Sequence, residues 1–378
     1  MGSLLLTGGD VATPAGVLAG GWVHVTGDRL TGVGTGPAPA AERVLDCAGR
    51  TLVPGFVDVH QHGAGGAAYD GGAEDARTAL AVHRARGTTT ALASLVSLPP
   101  AALDRALGEL AGLVQDGELA GVHLEGPWLA PGRCGAHDPA ALRPPTPGEV
   151  ARVAGAGCVR MVTVAPELPG GLDAVRRLAD AGVVPAVGHT DAGFAAVRAA
   201  VDAGARVATH LLNAMPAPAG REPGPVLALL ADERVTVELI ADGVHLHPAW
   251  ERHVLAAAGP GRVALVSDAV AAAGMPDGSY ALGGLAVTVR AGQARLAAGG
   301  ALAGGTATAA ALFRRAVTDL GLPVADAARV CATTPAAALG LVDVGALEAG
   351  RRADVVLLDG GVDVRGVLRA GQWVRPPS

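Results

Sequence analysis

Lysine is absent from this 378-residue chain. That absence excludes a Schiff-base lysine, a phosphate-gripping P-loop lysine and a carboxylated-lysine bridge between metal ions. Aromatic residues make up 2% of the chain, so Ala, Val and Leu must build its core. Asparagine and isoleucine occur once each, as Asn213 and Ile240. Lys, Asn and Ile share A/T-rich codons, so a GC-rich genome accounts for all three shortages. An Asn that survives such a bias marks position 213 for attention. Cys47, Cys134, Cys158 and Cys331 are scattered, with no CxxC pair. They read as reduced thiols of a cytoplasmic protein rather than as a disulfide framework. No basic region precedes the short apolar run at the N-terminus, so no signal peptide is expected. No uninterrupted apolar stretch of about 18 residues suggests a membrane span. Acids outnumber bases 35 to 29, and no basic stripe is present, so neither a nucleic-acid nor a membrane partner is expected.

What is present is ample for a globular protein: 50% apolar and 17% charged residues. Residues 1–50 read as short strands, Leu4–Leu6, Trp22–Thr26, Leu30–Val33 and Arg43–Asp46, separated by Gly, Asp and Pro. The segment GVGTGP at Gly32–Pro37 is no dinucleotide fingerprint, because Pro37 and Pro39 break the chain where a helix would have to follow. Beyond residue 50, apolar runs alternate with Ala-rich helical stretches. The runs are Leu52–His60, Thr88–Leu95, Gly121–Glu125, Val159–Ala165, Val183–His189, Val207–Leu212, Val235–Ala241 and Val263–Asp268. Strands apolar on both faces and separated by helices predict a parallel sheet, and eight such units fit an α/β fold of the (β/α)8 TIM-barrel type. Asp277–Ala303 breaks the rhythm as a small β excursion, and the tail returns to strands. The expected organisation is a β-sandwich built from residues 1–50 and 343–378 beside a barrel over 51–342.

In such a barrel the C-terminal ends of the strands carry the chemistry. Here they end in Asp58-Val-His60-Gln-His62, His123-Leu-Glu125, Gly188-His189, Thr209-His210-Leu-Leu-Asn213, Asp242-Gly-Val-His245 and Ser267-Asp268. His60 and His62 are two apart and share one face of an extended strand. Each histidine alone has an ordinary alternative as a hydrogen-bonded core residue, and Asp268 has one as a helix cap. An unpaired carboxylate at the end of an apolar strand is costly, so Glu125 calls for a cation. Together with His189, His210 and the His60/His62 pair, it points to a divalent metal. Asp268, beside such a site, is placed to take a proton from water and deliver it to a leaving amine.

The segments PGFVDVHQHG, HLEGPW, GHTDA, THLLNAM, REPG, ADGVHLHP and VSDA, with the tail TTPAAALGLVDVGALEAGRRADVVLLD, resemble the N-acetylglucosamine-6-phosphate deacetylase family of the amidohydrolase superfamily. The likeness runs from about residue 45 through 360. It implies the same barrel-plus-sandwich fold, metal binding by Glu125, His189 and His210, and Asp268 as the acid/base. It implies sugar contacts from Ala136, His137, Asn213, Ala214, His245, Leu302, Ala303 and Gly304, and a phosphate contact from Arg221. A guanidinium fork suits phosphate oxygens. Within DGVHLHP, His245 is the expected contact because it lies nearer the strand end than His247. Some members of the family lack one or both strand-one histidines, whereas this chain has both. A cysteine, Cys134, stands where many relatives carry Lys, and Ser267 precedes the Asp where Thr is usual.

The expected activity is metal-dependent deacetylation of N-acetyl-D-glucosamine 6-phosphate to D-glucosamine 6-phosphate and acetate. The alternatives are deacetylation of another N-acetyl amino-sugar phosphate, such as the galactosamine epimer, and an inactive amidohydrolase-fold scaffold. Glu125, His189, His210 and Asp268 are all present, which argues against the scaffold. The expected cofactor is a divalent ion, zinc foremost, one or two per subunit, with His60 and His62 forming a second position bridged by Glu125. The expected partners are the phosphorylated amino sugar and, from the family resemblance, a second copy in a homodimer.

Overall fold

The run Leu52–His60, read as one strand, is two in the computed structural model, which describes residues 2–377. Thr51–Pro54 pairs with Val355–Leu358 and with the strand Ser3–Thr13, whereas Phe56–Asp58 joins a different sheet. Pro54 has no N–H to continue a ladder. The Gly55 N–H is drawn to the carbonyl of Asp354 (3.0 Å) and so leaves the line of the next strand.

By density of internal contacts the chain divides into two units. One gathers the chain up to Asp58, His83–Thr90 and everything from Ala309 onward. Both chain ends build its eight-stranded sheet, in the order Gln372–Arg375, Val364–Arg369, Val355–Leu358, Thr51–Pro54, Ser3–Thr13, Gly16–Thr26, Arg29–Gly34, with Arg43–Asp46 also beside Ser3–Thr13. Alternate residues of these strands face one apolar core: Leu4 and Leu6, Val23 and Val25, Val355 and Leu357. Period-two burial of this kind is what fixes strand register. Phe56 and Phe313, two of the chain's few aromatic residues, stack at 5.1 Å in this unit.

The other unit comprises Val59–Val82 and Ala91–Thr308. The second eight-stranded sheet runs in chain order from Phe56–Asp58 through Thr88–Leu95, Gly121–Glu125, Val159–Val164, Val184–Val187, Val207–Ala208, Thr236–Leu239 and Val263–Leu265. Every residue of Thr88–Leu95 and of Gly121–Glu125 is buried, as strands covered on both faces must be. The intervening helices are amphipathic. Gly171–Asp180 buries Ala174, Val175 and Leu178 and leaves its charges outside. Helix starts carry local signals: Thr146 accepts a hydrogen bond from the Glu149 N–H and Pro147 opens the turn.

The ring of strands is closed by backbone hydrogen bonds just past the strand ends. Asp268 N–H donates to His60 O (2.9 Å), and His62 N–H donates to Ala269 O (2.7 Å). The architecture is α/β, a TIM-type barrel with a separate β unit. The excursion after the eighth strand is a three-stranded antiparallel sheet, Gly278–Leu282, Leu285–Arg290 and Gln293–Leu296. Among the described residues, no helix is long and apolar enough to cross a membrane.

Candidate active site

Three site residues follow directly on barrel strands and turn sharply there. His189, His210 and Asp268 have φ of 48°, 26° and 47°. The left-handed region costs a non-glycine residue about 1–3 kcal/mol, and such strain gathers at functional sites. Glycine backbone makes room beside two of them. A Cβ on Gly304 would lie 2.6 Å from the carbonyl oxygen of Asp268, and one on Gly188 would lie 2.6 Å from Thr209 Cβ.

The structure brings six polar side chains into two groups, Glu125/His189/His210 and His60/His62/Asp268, all buried. In the first, Glu125 Oε1 lies 3.0 Å from His189 Nε2 and 2.8 Å from His210 Nε2, and the two ring nitrogens are 3.0 Å apart. In the second, His62 Nε2 lies 3.1 Å from Asp268 Oδ1 and 3.3 Å from His60 Nε2. Glu125 also reaches the second group: its Oε2 is 3.3 Å from His62 Nε2 and its Oε1 is 3.5 Å from His60 Nε2. Four-coordinate zinc with bonds of about 2.0–2.1 Å has ligand–ligand edges of about 3.3 Å, so these donor atoms fit around a cation with little movement.

The far nitrogens of three rings are anchored. His189 Nδ1 donates to Arg133 O (2.7 Å), His62 Nδ1 to Ser94 O (3.1 Å) and His60 Nδ1 to Glu238 Oε2 (2.9 Å). Each Nδ1–H leaves the Nε2 lone pair turned toward the groups. Without a cation, protons take up the negative charge. Burial pulls the His62 pKa down, but Asp268 and Glu125 outweigh it and push it up to about 9. His60 behaves likewise: burial opposes, and Glu125, Glu238 and Asp268 raise it well above the usual imidazole range. Burial would raise both carboxylates. Instead His60, His137 and His189 hold Glu125 well below the usual range, and His60 and His62 do the same for Asp268.

His137 differs from these. Its Nδ1 accepts from the N–H of Ser97 (3.0 Å) and lies 2.9 Å from the Ser97 hydroxyl. Its proton is therefore on Nε2, which faces Glu125 Oε2 at 3.2 Å. Burial first, with the neighbouring His189 and His62, lowers its pKa to about 4, so the ring is neutral at pH 7.

A cavity of about 310 Å³ opens over the two groups, in the lower range of small-molecule sites. His62, Glu125, His189, His210 and Asp268 line it, together with Ala136, His137, Asn213, Ala214, His245, Leu302 and Gly304. His60 lies beneath it, fully buried. Ala303 is buried behind the wall that its neighbours form. His245 is tied to Asp242 Oδ2 (2.9 Å), whereas His247 caps the helix Pro248–Ala258 through the Ala249 N–H. Arg221 is exposed on its Pro/Gly loop and is not among the lining residues. Its neighbour Glu222 accepts from the N–H of Phe194 and of Gly224, which secures that loop.

Sequence reasoning missed Arg133, Val96 and Leu282 on the cavity wall, and Glu238 below it. Arg133 is the one guanidinium lining the cavity among the described residues, and Asp191 holds it at 2.6 Å. The signal for Glu238 was an acid within an otherwise apolar strand, VTVELIA.

The model of the amidohydrolase family matches residues 51–374. The chain belongs to the amidohydrolase family. Within it, the chain is 37% identical over 361 residues to an N-acetylgalactosamine-6-phosphate deacetylase of Escherichia coli O157:H7, covering 93% of this chain and 95% of that protein. It is 32% identical over 381 residues to an N-acetylglucosamine-6-phosphate deacetylase of Bacillus subtilis (strain 168), covering 96% and 94%. Among solved structures, it is 49% identical to an N-acetyl-D-glucosamine-6-phosphate deacetylase of Mycobacterium smegmatis, over all of both chains and with a TM-score of 0.96. That protein was crystallised as an aspartate-to-alanine mutant in complex with N-acetyl-D-glucosamine 6-phosphate.

Proposed function

We propose that this chain hydrolyses the acetamide of N-acetyl-D-glucosamine 6-phosphate, giving acetate and D-glucosamine 6-phosphate, with zinc as the divalent ion. The observation that carries the reading is Glu125, whose two oxygens face His189, His210 and His62 at the floor of a ligand-sized cavity. Glu125, His189 and His210 would hold one cation. His60, His62 and Asp268 would hold a second, with Glu125 between them. A bound divalent ion supplies Lewis acidity and lowers the pKa of water.

The residues do the rest. Asp268, whose charge is offset by the protons on His60 and His62 in the metal-free protein and would be offset by the second cation when it is bound, accepts the proton of the attacking water. The same carboxyl then delivers that proton to the amide nitrogen as the C–N bond breaks, so the leaving group departs as a neutral amine. His137, neutral and carrying its proton on Nε2, donates to the carbonyl oxygen as negative charge builds there. Ser97 keeps that proton on Nε2 by donating to the opposite nitrogen. Asn213, Ala214, His245, Leu302 and Gly304 form the sugar side of the cavity. Ala303, buried behind them, supports that wall. Arg221 is the proposed phosphate-binding residue, acting from outside the cavity wall, and a homodimer completes the reading.

The galactosamine epimer differs at one hydroxyl, and the 37% identical relative from E. coli O157:H7 favours keeping it as a second reading. The 49% identity to the M. smegmatis enzyme weighs toward the glucosamine substrate. Acetate release is to be measured over a panel of N-acetylhexosamines with and without a 6-phosphate. The highest kcat/KM on N-acetylglucosamine 6-phosphate supports the proposal. A higher value on the galactosamine epimer, or no release from any member, overturns it.

A further inference from the structure

Glu238 lies on the seventh barrel strand, Thr236–Leu239, with no solvent exposure. Its Oε2 accepts two hydrogen bonds, from His60 Nδ1 at 2.9 Å and from the backbone N–H of His210 at 3.1 Å. His60 belongs to one ligand group and His210 to the other. At φ 26° His210 has left the strand ladder, so its buried N–H needs an acceptor from elsewhere. The carboxylate provides it.

The other anchored rings differ in kind. His62 and His189 donate to the backbone carbonyls of Ser94 and Arg133. Of the four grouped histidines, His60 alone has its Nδ1 on a carboxylate. The Nδ1 of His210 is buried with no hydrogen-bond partner among the described residues, so that ring depends on its backbone for placement. Glu238 Oε1 is likewise buried without a hydrogen-bond partner. A buried carboxylate with one oxygen unsatisfied is a poor stabiliser of a barrel interior, where an apolar residue would serve better. It is well suited to balancing positive charge on the far side of an imidazole, and it makes that imidazole a stronger ligand.

We infer that Glu238 is a positioning residue that joins the two candidate ligand groups, fixing His60 through its ring and His210 through its backbone. The inference rests on the reading that both groups hold cations. With its Nδ1–H held, His60 presents the Nε2 lone pair to the second group. The same oxygen sets how far the His210 turn stands from His60. Removing the charge therefore weakens the second group most, and the first to a smaller degree.

The test titrates metal-free wild type, Glu238→Gln and Glu238→Asp with Zn²⁺, reading equivalents and affinities by calorimetry. Melting of each metal-free protein is measured alongside. Glu238→Gln keeps the shape and one acceptor but loses the charge. Glu238→Asp keeps the charge but draws it back from His60, and it serves if the Gln protein does not fold. The expected result is two equivalents in wild type and an affinity for the weaker one reduced roughly 10- to 100-fold in the variants, with the stronger one changed less. Wild-type affinities for both equivalents in the variants overturn the inference and leave the two-cation reading standing. A lower melting temperature with unchanged affinities gives Glu238 a purely structural role and also overturns it. A single equivalent in wild type, kept in a His60→Ala/His62→Ala variant, overturns the two-cation reading and this inference with it.

Discussion

His62 and Asp268 face each other at 3.1 Å across the seam that closes the barrel. Both are held there by backbone bonds of that seam, His62 N–H to Ala269 O and Asp268 N–H to His60 O. The bonds that close the barrel thus also set the backbone of the second ligand group. The pair also makes cation binding a proton exchange. His62, raised to about 9, carries a proton at pH 7.5 that a metal ion must displace. Calorimetric titration with Zn²⁺ at pH 7.5 in buffers of different ionisation enthalpy is expected to show net proton release. Release should shrink as pH is raised past about 9. No buffer dependence at pH 7.5 would contradict the assignment.

The same shift sets how the metal-free protein responds to pH. A histidine whose folded pKa lies above its unfolded value of about 6.5 stabilises the fold fully below that value. The contribution disappears as pH rises to about 9. Asp268 and Glu125, whose pKa values are lowered, work in the opposite sense: their contribution is present above the ordinary carboxylate range and is lost on acidification. The melting temperature of the metal-free protein should therefore fall from pH 6.5 to 9, and fall on acidification too, first from about pH 6.5 toward 4 as His137 resists the proton it takes up when unfolded, then further as the carboxylates protonate. Zinc should flatten the alkaline limb. A metal-free melting temperature that rises between pH 6.5 and 9 would refute this.

Asp268→Asn keeps the shape of the side chain but can neither accept nor deliver the proton. Turnover should drop by roughly 10² or more, with the cation at Glu125, His189 and His210 retained. Kinetics and elemental analysis of the same preparation check both halves. Near-wild-type turnover with metal bound would remove Asp268 from its role.

His137→Ala deletes the neutral donor, removing one contact to Glu125 Oε2 but none of the six grouped side chains. The expected loss in kcat is about 10²- to 10³-fold, with bound metal unchanged. In wild type no acid limb from this ring should appear above about pH 5, because its pKa lies near 4. A loss confined to KM would make His137 a binding residue only.

Arg221 and Arg133 are rivals for the phosphate. Arg221 is outside the cavity lining, and Arg133 is on it but paired with Asp191. If Arg221 binds the phosphate, Arg221→Ala lowers kcat/KM for the 6-phosphate and barely alters the weak activity on free N-acetylglucosamine. Arg133→Ala should then affect both substrates alike. The reverse pattern would transfer the role to Arg133. Arg221→Lys should restore only part of the loss, since a point charge does not reproduce a guanidinium fork.

The barrel was legible because its strands are apolar on both faces, and the short-range order of Val, Leu and Ala records that directly. Each of the eight runs contains an observed barrel strand, and the excursion after Asp277 is a sheet. The division of Leu52–His60 was less legible. Both halves are apolar, and only pairing with Ser3–Thr13 and with Val355–Leu358, the latter some 300 residues away, draws Thr51–Pro54 into the other sheet.

For the site, the sequence alone determined which side chains gather, because a polar residue ending a buried strand has few places to be except around the barrel mouth. Glu125, His189, His210, His60, His62 and Asp268 could be named for that reason. The tertiary structure alone decided how they meet. It set Glu125 between two groups, aligned His60 on Glu238, and left Arg221 outside the wall where Arg133 stands. Those outcomes depend on backbone turns of positive φ and on partners tens to hundreds of residues distant. Periodicity and local motifs carry no information about either, since hydrogen bonds and burial act on separation in space rather than along the chain.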